Sequence, residues 1–428
     1  MLRPLVLLKS KLVAPRPGEG IWLKPSLKGR LERLIEYPLT IVCASAGYGK
    51  TTAVVKMLSD LRIPFAWFSP GPEDASAFAL GWYLAGALES LVPGIAEQFS
   101  GMLAGRQNVA KETILELLLS CLEEKGRVGE GVLVIDDWHT VASSEEARWF
   151  FDHFLAGKPS WLKTVILSRE KVSLAYVCRE LVRGNALNIG EKHLALSREE
   201  VGEYLDYSGN VPLVKYADLI YGYSEGWIMA VKLLVKGLRE GAISLPLRGL
   251  EDTVAGLSEL FEFLSLDVLE RQEPEVKTFL LQSSVLEFLS VPACNALMGA
   301  SFSPELLQKV YERGLFLVEL EGGLYRYHNL FREFLRREGQ KRIPNWESLH
   351  YRAGSYCLQE GRLEESLQHF LQARQWADAA KVLSRMSYEL VYSGRGQQLR
   401  LYLEKLPAEL RREADFLLAL GLSLTPKL

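Results

Sequence analysis

The sequence predicts a three-layer α/β domain built on a parallel sheet, followed by domains that are mostly helical. Two observations lead to this fold class: short apolar runs alternate with helical segments over residues 1–197, and the strand signals fade after that point. A length of 428 residues is too great for one core and favours two to four domains. Hydrophobic residues make up 48% of the chain and charged residues 24%, which is typical of a globular protein with substantial cores.

Five short segments are predicted to be buried parallel strands, because each is an almost continuous apolar run bounded by turn residues. They are residues 39–44, 64–69, 131–136, 163–169 and 186–190. Helices are predicted at 27–36, at 50–61 and over most of 76–125. This alternation favours a sheet with helices on both faces.

After residue 197 the pattern is mostly helical, with two departures. Residues 243–256 contain the Gly and Pro residues typical of a linker. Residues 315–320 and 324–327 are strand-like and are joined through a Gly-Gly pair. A short hairpin that follows a run of helices predicts a winged-helix unit.

From residue 345 onward the pattern is entirely helical. The offsets typical of a tetratricopeptide hairpin are occupied by Gly354, Cys357, Ser366, Phe370 and Ala373. A single copy of these offsets fits an ordinary helical hairpin equally well.

The strongest motif lies between the first predicted strand and the helix after it: Ala44-Ser-Ala-Gly-Tyr-Gly-Lys-Thr-Thr52. It matches the P-loop pattern GxxxxGK[ST], except that Ala44 stands where the pattern has its first Gly. Gly47 and Gly49 allow backbone N–H groups to turn inward around a phosphate, and the positive end of the following helix is directed at the same anion. The motif therefore predicts that ATP or ADP binds here with Mg²⁺.

Individual residues of this loop have predicted roles. Lys50 is expected to reach the β- and γ-phosphates, and Thr51 to hold Mg²⁺ through its hydroxyl. The residues predicted to line the nucleotide phosphates are Ala46, Gly47, Tyr48, Gly49, Lys50, Thr51 and Thr52.

A second motif, Val132-Leu-Val-Ile-Asp136-Asp137, ends an apolar strand in two carboxylates. Asp136 is predicted to hold Mg²⁺ together with Thr51, because a P-loop needs a carboxylate that orients the ligands of the metal. Asp137 is predicted to polarise the attacking water as a general base. The alternative is that the two Asp residues only cap the next helix.

Ser168-Arg169 ends the fourth predicted strand. Parallel strands release their carboxyl ends at the same edge of a sheet, where ligands bind. Arg169 is therefore predicted to sense the γ-phosphate. A surface arginine in a loop is the alternative.

Charge and cysteine spacing argue against several function classes. A net charge of −3 gives the whole chain no electrostatic attraction toward nucleic acid or an anionic membrane. The five cysteines are far apart and form no CxxC pair, which favours free thiols in a reducing cytoplasm over a zinc site or a disulfide framework. No apolar stretch approaches the roughly 20 residues needed to cross a bilayer, so we expect a cytoplasmic protein without a membrane partner.

These motifs, taken with others further along the chain, resemble the STAND class, the signal-transduction ATPases with numerous domains. Within that class the chain is most similar to the MalT-like transcriptional activators. The resemblance runs through almost the whole chain and is carried by residues 46–52, 66–69, 134–139, 167–169, 194–200, 224–227, 279–284, 313–316 and 325–331. The last of these, Tyr-Arg-Tyr-His-Asn-Leu-Phe, lies well outside the generic ATPase motifs.

The resemblance implies four domains. They are a P-loop nucleotide-binding domain at 1–197, a helical lid with its linker at 198–256, a winged-helix domain at 257–342 and a tetratricopeptide-like helical arm at 343–428. In this family a sensor domain and a DNA-binding helix-turn-helix usually follow the arm. We therefore expect inducer and DNA to act only through C-terminal domains that this chain does not contain.

The resemblance also implies a slow ATPase that works as a switch. The resting state holds ADP, exchange to ATP permits self-association, and hydrolysis resets the molecule. In such proteins a histidine of the winged helix contacts the ADP phosphate, and the matching residue here is His328. By residue type alone, a histidine in this aromatic run would more often be a packed core residue.

Two more residues are assigned to the nucleotide by the resemblance. The lid motif of the class usually ends in a proline that packs on adenine, whereas this chain has Gly226-Trp227-Ile228. Ile228 is expected to supply the apolar contact, and Trp227 to lie in the core. Arg30 stands where the family often places nucleotide-proximal residues, although it also fits a solvated helix face.

Two other functions stay open at this point. One is a catalytically inactive scaffold that keeps ADP as a structural clip, against which the intact Asp136-Asp137 pair argues. The other is a free-standing kinase or remodelling ATPase, for which the sequence has no visible acceptor-binding motif. Steady ATP turnover would favour the free-standing enzyme, and slow hydrolysis with retained product would favour the switch.

Overall fold

The computed structural model describes residues 7–16, 20–104, 109–125, 129–241, 243, 257–299, 304–393 and 395–412. Apart from Ile243, the predicted linker lies outside these residues, as does the end of the predicted arm after residue 412. The chain divides into two compact units. The first is Met1–Leu260 with Glu312–Leu315, and the second is Phe261–Tyr311 with Phe316–Leu428.

A five-stranded sheet forms the centre of the first unit. Its strands are β1 Leu39–Cys43, β2 Phe65–Phe68, β3 Gly131–Ile135, β4 Leu162–Ser168 and β5 Ala186–Gly190. They lie in the order β2-β3-β4-β1-β5, and every neighbouring pair is parallel. The predicted parallel sheet is therefore confirmed. Since Cys43 is in register with Ser168 on one side and Gly190 on the other, three strands end side by side.

Helices surround this sheet. They are α1 Pro25–Leu31, α2 Lys50–Asp60, α3 Ala77–Leu88, α4 Ile95–Leu103, α5 Lys111–Lys125, α6 Glu145–Gly157, α7 Ala175–Arg183, α8 Glu191–Leu194, α9 Arg198–Tyr207, α10 Ala217–Ser224 and α11 Ile228–Arg239. Phe68, Leu118 and Phe150 belong to one continuous apolar cluster and are fully buried. Burial of each such side chain contributes about 1.5–3 kcal/mol, so the cluster fixes the strand ends that carry the functional motifs.

Four residues from later in the chain complete the first unit. Within Glu312–Leu315, the carbonyl of Glu312 accepts a hydrogen bond from the Lys171 N–H at 3.1 Å. Gly314 has φ +61°, and a Cβ placed on it would lie 2.2 Å from the carbonyl oxygen of Arg169. Only glycine fits this close approach, which lies just beyond the end of β4.

The second unit begins with helices and contains the predicted hairpin. Helix α12, Ser258–Phe263, leads into a π-helical turn at Leu264–Leu269, after which come α13 Pro274–Ser283, α14 Val291–Met298 and α15 Pro304–Glu312. The antiparallel strands β6 Leu317–Glu319 and β7 Tyr325–Tyr327 follow, and α16 Asn329–Arg342 closes this part. The buried hydroxyl of Tyr327 lies 2.8 Å from Ser283 Oγ, which ties the hairpin to α13. The predicted hairpin after a run of helices is thus confirmed.

The described residues of the second unit after α16, up to residue 412, are mostly helical, as predicted. Its helices are α17 Trp346–Gln359, α18 Leu363–Gln372, α19 Trp376–Tyr392 and α20 Gly396–Glu404. The Ser366 hydroxyl donates to the Gly354 carbonyl at 2.8 Å, and a Cβ on Gly354 would lie 3.0 Å from the Phe370 ring. Small residues at these two positions therefore allow α17 and α18 to pack closely.

Within the described part of the chain, none of the helices combines the length and the apolar composition that a bilayer crossing requires.

Candidate nucleotide-binding site

The phosphate loop joins β1 to α2, as the sequence predicts. Gly47 has φ +77° and Gly49 has φ +79°, in the left-handed region that glycine adopts without strain. A Cβ on Gly47 would lie 2.8 Å from Trp227 Nε1, so space as well as conformation requires glycine there. Gly49 occupies the N-cap of α2, which directs the N–H groups of the first helical turn toward the loop.

Lys50 lies over the loop that precedes it. Its Nζ donates to the carbonyl oxygen of Ala44 at 2.6 Å and to that of Ser45 at 3.0 Å. Burial, together with the positive charge of Arg169, lowers the pKa of Lys50 to about 8. The ammonium group is therefore positioned at the loop, where an anion would stabilise its charge.

Thr51, in the first turn of α2, and Asp136, directly after β3, come together at the loop. The Thr51 hydroxyl lies 3.2 Å from each carboxylate oxygen of Asp136, and Asp136 follows directly after β3. Burial, followed by the negative charge of Asp137, raises the pKa of Asp136 to about 6. A hydroxyl beside a carboxylate is a set of hard oxygen donors suited to Mg²⁺, so these residues fit the metal that the motif implies.

Asp137 is oriented differently from its neighbour. Its backbone is left-handed, with φ +53°, and its side chain makes no capping hydrogen bond to the short 3-10 helix that follows. Its Oδ1 lies 3.8 Å from His139 Nδ1 and 4.0 Å from Arg169 Nε. Helix capping therefore does not explain this side chain.

Arg169 reaches the same edge of the sheet from β4. The strand before it is tied to the phosphate loop, because the Ala44 N–H donates to the Ser168 carbonyl at 3.2 Å. At this edge the charges of Arg169, Asp137 and Asp136 all act on the pKa of Lys50.

Two residues of the predicted lid, Trp227 and Ile228, lie at the phosphate loop. Trp227 is fully buried, and its Nε1 donates to the Ala46 carbonyl at 3.0 Å, while its ring stacks on Tyr48. Ile228 begins α11, and its Cγ2 would lie 3.7 Å from a Cβ on Gly49. The sequence offered no signal for the Trp227–Ala46 hydrogen bond, which joins residues 181 positions apart.

Sequence reasoning also missed a carboxylate at this loop. Glu191, the first residue after β5, accepts from both the N–H and the hydroxyl of Ser45. Its position directly after β5 was visible in the sequence, but the pairing of β5 with β1, which brings it to Ser45, was not.

Two more residues, Arg30 and His328, are predicted to lie near the nucleotide. Arg30 is exposed on α1. Its charge acts on His193, whose pKa is lowered first by the burial of its own ring and then by the positive charge of Arg30. His328 belongs to the second unit, where it is buried, and its backbone N–H donates to the Phe316 carbonyl at 2.9 Å. Contacts of Arg30 and His328 with a nucleotide stay predictions.

Comparison with known proteins identifies relatives over nearly the whole chain. Residues 265–347 match the MalT winged helix domain family. The chain is 27% identical over 418 residues to the HTH-type transcriptional regulator MalT of Vibrio cholerae, covering 94% of this chain and 45% of that protein. For MalT of Vibrio parahaemolyticus the identity is 28%, over 94% of this chain and 44% of that protein. The chain therefore spans less than half of the length of these curated relatives.

A solved structure shares the fold. The Walker-type ATPase of Pyrococcus abyssi superposes with a TM-score of 0.51 at 14% identity, over 75% of this chain and 98% of that chain. Together with the five-stranded sheet, this match confirms the P-loop ATPase fold. The chain is thus similar to MalT regulators over most of its length, and in it a P-loop ATPase fold precedes a match to the MalT winged helix domain family.

Proposed function

We propose that this chain is the ATP/ADP-switched regulatory core of a MalT-like transcriptional activator. It rests with ADP bound, self-associates on exchange to ATP, and resets by slow hydrolysis. The observation that carries the proposal is the pairing of the Thr51 hydroxyl with the Asp136 carboxylate beside Lys50, since these are the groups that a magnesium nucleotide requires.

Each residue has one part in this proposal. The backbone amides of residues 46–52 and Lys50 bind the phosphates, and Thr51 and Asp136 hold Mg²⁺, which neutralises charge that develops on the phosphates. Asp137 orients the attacking water. Arg169 reads the γ-phosphate. Ile228 is proposed to contact the base, with Arg30 near the nucleotide.

His328 is proposed to contact the ADP phosphate in the resting, ADP-bound state, which is called the closed state here. A buried imidazole donates to a phosphate oxygen in either its neutral or its protonated form. Its replacement is therefore proposed to weaken ADP binding more than ATP binding.

The first test is the nucleotide content of the purified protein. The protein is prepared without added nucleotide and denatured, and the released compound is identified by ion-exchange chromatography. About one ADP per chain is expected from a closed switch. We expect Lys50→Ala to release none and to bind no added ATP or ADP, because it removes the cation that pairs with the phosphates.

The control is Lys56→Ala, which removes a cation further along α2 whose recorded ion pair is with Asp60. Unaltered ATP affinity in Lys50→Ala would overturn the site assignment. An unmodified protein that fails to bind either nucleotide would instead leave the P-loop without a nucleotide role.

A catalytically inactive scaffold that uses ADP as a clip is the second candidate. The intact Asp136-Asp137 pair argues against it. Single-turnover hydrolysis separates the two, because a scaffold leaves bound ATP uncleaved.

A further inference from the structure

Glu191 stands at the point where β5 meets the phosphate loop. It directly follows Gly190, which is in register with Cys43, the last residue of β1. Its Oε2 accepts from the Ser45 N–H at 3.2 Å and from the Ser45 hydroxyl at 2.8 Å. One carboxylate oxygen therefore holds a single loop residue at two points.

Ser45 in turn contacts Lys50. Ser45 is only 2% exposed, and its carbonyl oxygen accepts from Lys50 Nζ at 3.0 Å. A carboxylate near a phosphate site weakens anion binding by like-charge repulsion. The contribution of Glu191 must therefore come from geometry, namely from fixing the peptide that positions the ammonium group.

The segment that begins with Glu191 continues to the lid. The Glu191 carbonyl accepts from the Ala195 N–H at 2.8 Å, and the Leu196 N–H donates to the Gly226 carbonyl at 2.9 Å. Trp227, the next residue, donates to Ala46. These hydrogen bonds form a closed circuit, that is a continuous series of contacts that begins and ends at the phosphate loop. It runs from Ser45 to Glu191, through the lid, and back to Ala46.

We propose that Glu191 is a positioning residue that couples the phosphate loop to the lid. Its carboxylate fixes Ser45, and the short segment after it carries that constraint to Gly226 and Trp227. The coupling deepens the proposed nucleotide switch and rests on it for its biological meaning. The contacts themselves belong to the first unit and do not require a bound nucleotide.

The first test is hydrogen exchange of the nucleotide-free full chain. Glu191→Ala is expected to speed amide exchange both in residues 44–50 and in residues 224–231, because loss of the anchor loosens both ends of the circuit. The matched control is Glu203→Ala, which removes an exposed carboxylate from α9 of the lid. Unchanged exchange in residues 224–231 of Glu191→Ala would overturn the coupling.

The second test measures affinity for a fluorescent ADP analogue. Glu191→Ala is expected to weaken binding about tenfold, as loss of hydrogen bonds to a charged group does. Glu191→Gln retains an oxygen that accepts both Ser45 bonds and is expected to bind within about twofold of the unmodified protein. A Gln variant as weak as the Ala variant would show that the side-chain acceptor for Ser45 does not set the affinity, which would contradict the positioning role.

Ser45→Ala completes the design, since it removes the hydroxyl partner without touching Glu191. The double variant Ser45→Ala with Glu191→Ala should lose little more affinity than Glu191→Ala alone, because both changes break the same contact. Additive losses would contradict the proposal. The exchange experiment uses no nucleotide, so it decides the coupling even if Lys50→Ala shows the proposed nucleotide site to be wrong.

Discussion

Burial shifts the pKa values of two charged groups at the phosphate loop in opposite directions. It lowers the pKa of Lys50 to about 8 and raises that of Asp136 to about 6. Each charge is therefore poorly solvated, and a partner of opposite sign would stabilise it: a phosphate for the ammonium group and a divalent cation for the carboxylate. One physical cause thus acts on both groups of the proposed magnesium nucleotide site.

A second pair of groups, the buried His350 and the half-buried His369, lies in the helical arm. His350 Nδ1 is 3.0 Å from His369 Nδ1, which requires that one ring donates and the other accepts. Burial is the main cause that lowers the pKa of both rings, and the positive charge of Arg336 adds to it for both. Arg332 and Arg362 also act on His369. The folded arm therefore keeps both rings neutral.

This pair predicts that the arm loses stability in mild acid. The unfolded chain binds protons as the pH falls below 6.5, whereas the folded pair does not, so stability present above pH 6.5 is lost below it. At pH 5.5 we expect a loss of about 1 kcal/mol for each histidine. Amide exchange of α17 and α18, corrected for intrinsic rates, should rise between pH 7 and pH 5.5.

His369→Gln is expected to reduce this pH dependence by about half, because one titrating ring remains. His153→Gln, an exposed histidine on α6, serves as the control and should leave it unchanged. An equal dependence in the His369 variant and the unmodified protein would contradict the assignment.

At the scale of elements, the lid depends on one tight turn. Gly226 has φ +77°, and a Cβ on it would lie 2.0 Å from the Leu196 carbonyl oxygen. The same two residues share a backbone hydrogen bond at 2.9 Å. A side chain at this position would therefore strain the backbone. It would also push Leu196 away from the turn that precedes α11.

Gly226→Ala is expected to destabilise the first unit by about 3 kcal/mol, because three effects combine. An alanine is strained in a left-handed backbone conformation, its Cβ clashes with the Leu196 carbonyl, and the clash breaks the hydrogen bond between the two residues. Gly209→Ala is the matched control, because Gly209 has φ +72° and no atom within 4 Å of its Cβ position. The control should cost about 1 kcal/mol, the strain alone. Denaturant unfolding measures both, and equal losses would contradict the close approach seen at Leu196.

The element boundaries were largely predictable from the sequence. Strands predicted at 131–136 and 186–190 are observed at Gly131–Ile135 and Ala186–Gly190, because continuous apolar runs between turn residues leave few alternatives. The P-loop motif, with its strand before and helix after, was likewise visible. Strand neighbours were not predictable, because buried parallel strands have similar compositions and their order depends on crossovers.

Long-range contacts at the site were also beyond the sequence. Ser45 and Glu191 are separated by 146 positions, and the latter is one of many glutamates. Trp227 was expected in the core, but its hydrogen bond to the phosphate loop depends on where the lid folds back. Short motifs thus identify groups that act on a ligand, while the groups that hold the motif in place emerge only from the tertiary structure.

At the scale of the whole molecule, the proposed switch predicts that association follows the nucleotide. A net charge of −3 opposes self-association only weakly. Asp137→Asn is expected to bind ATP without cleaving it, because the water-orienting carboxylate is lost. Sedimentation velocity should then show a larger species with ATP and Mg²⁺ than with ADP and Mg²⁺.

Lys50→Ala with ATP is the negative control for this measurement and should match the ADP sample. Identical sedimentation of Asp137→Asn with either nucleotide would contradict the association part of the proposal. The relatives to which the chain is similar are more than twice as long, so the same experiment on a longer chain would measure how much of the association lies within these 428 residues.

The segment Glu312–Leu315 has a practical consequence for the design of truncated chains. It packs with the first unit although about fifty residues of the second unit precede it in the chain. A truncation after Leu260 would remove the acceptor of the Lys171 N–H and uncover the Arg169 carbonyl on which Gly314 lies. The folding unit that carries the phosphate loop is therefore discontinuous in sequence, and its boundary is better mapped by point substitutions than by shortening the chain.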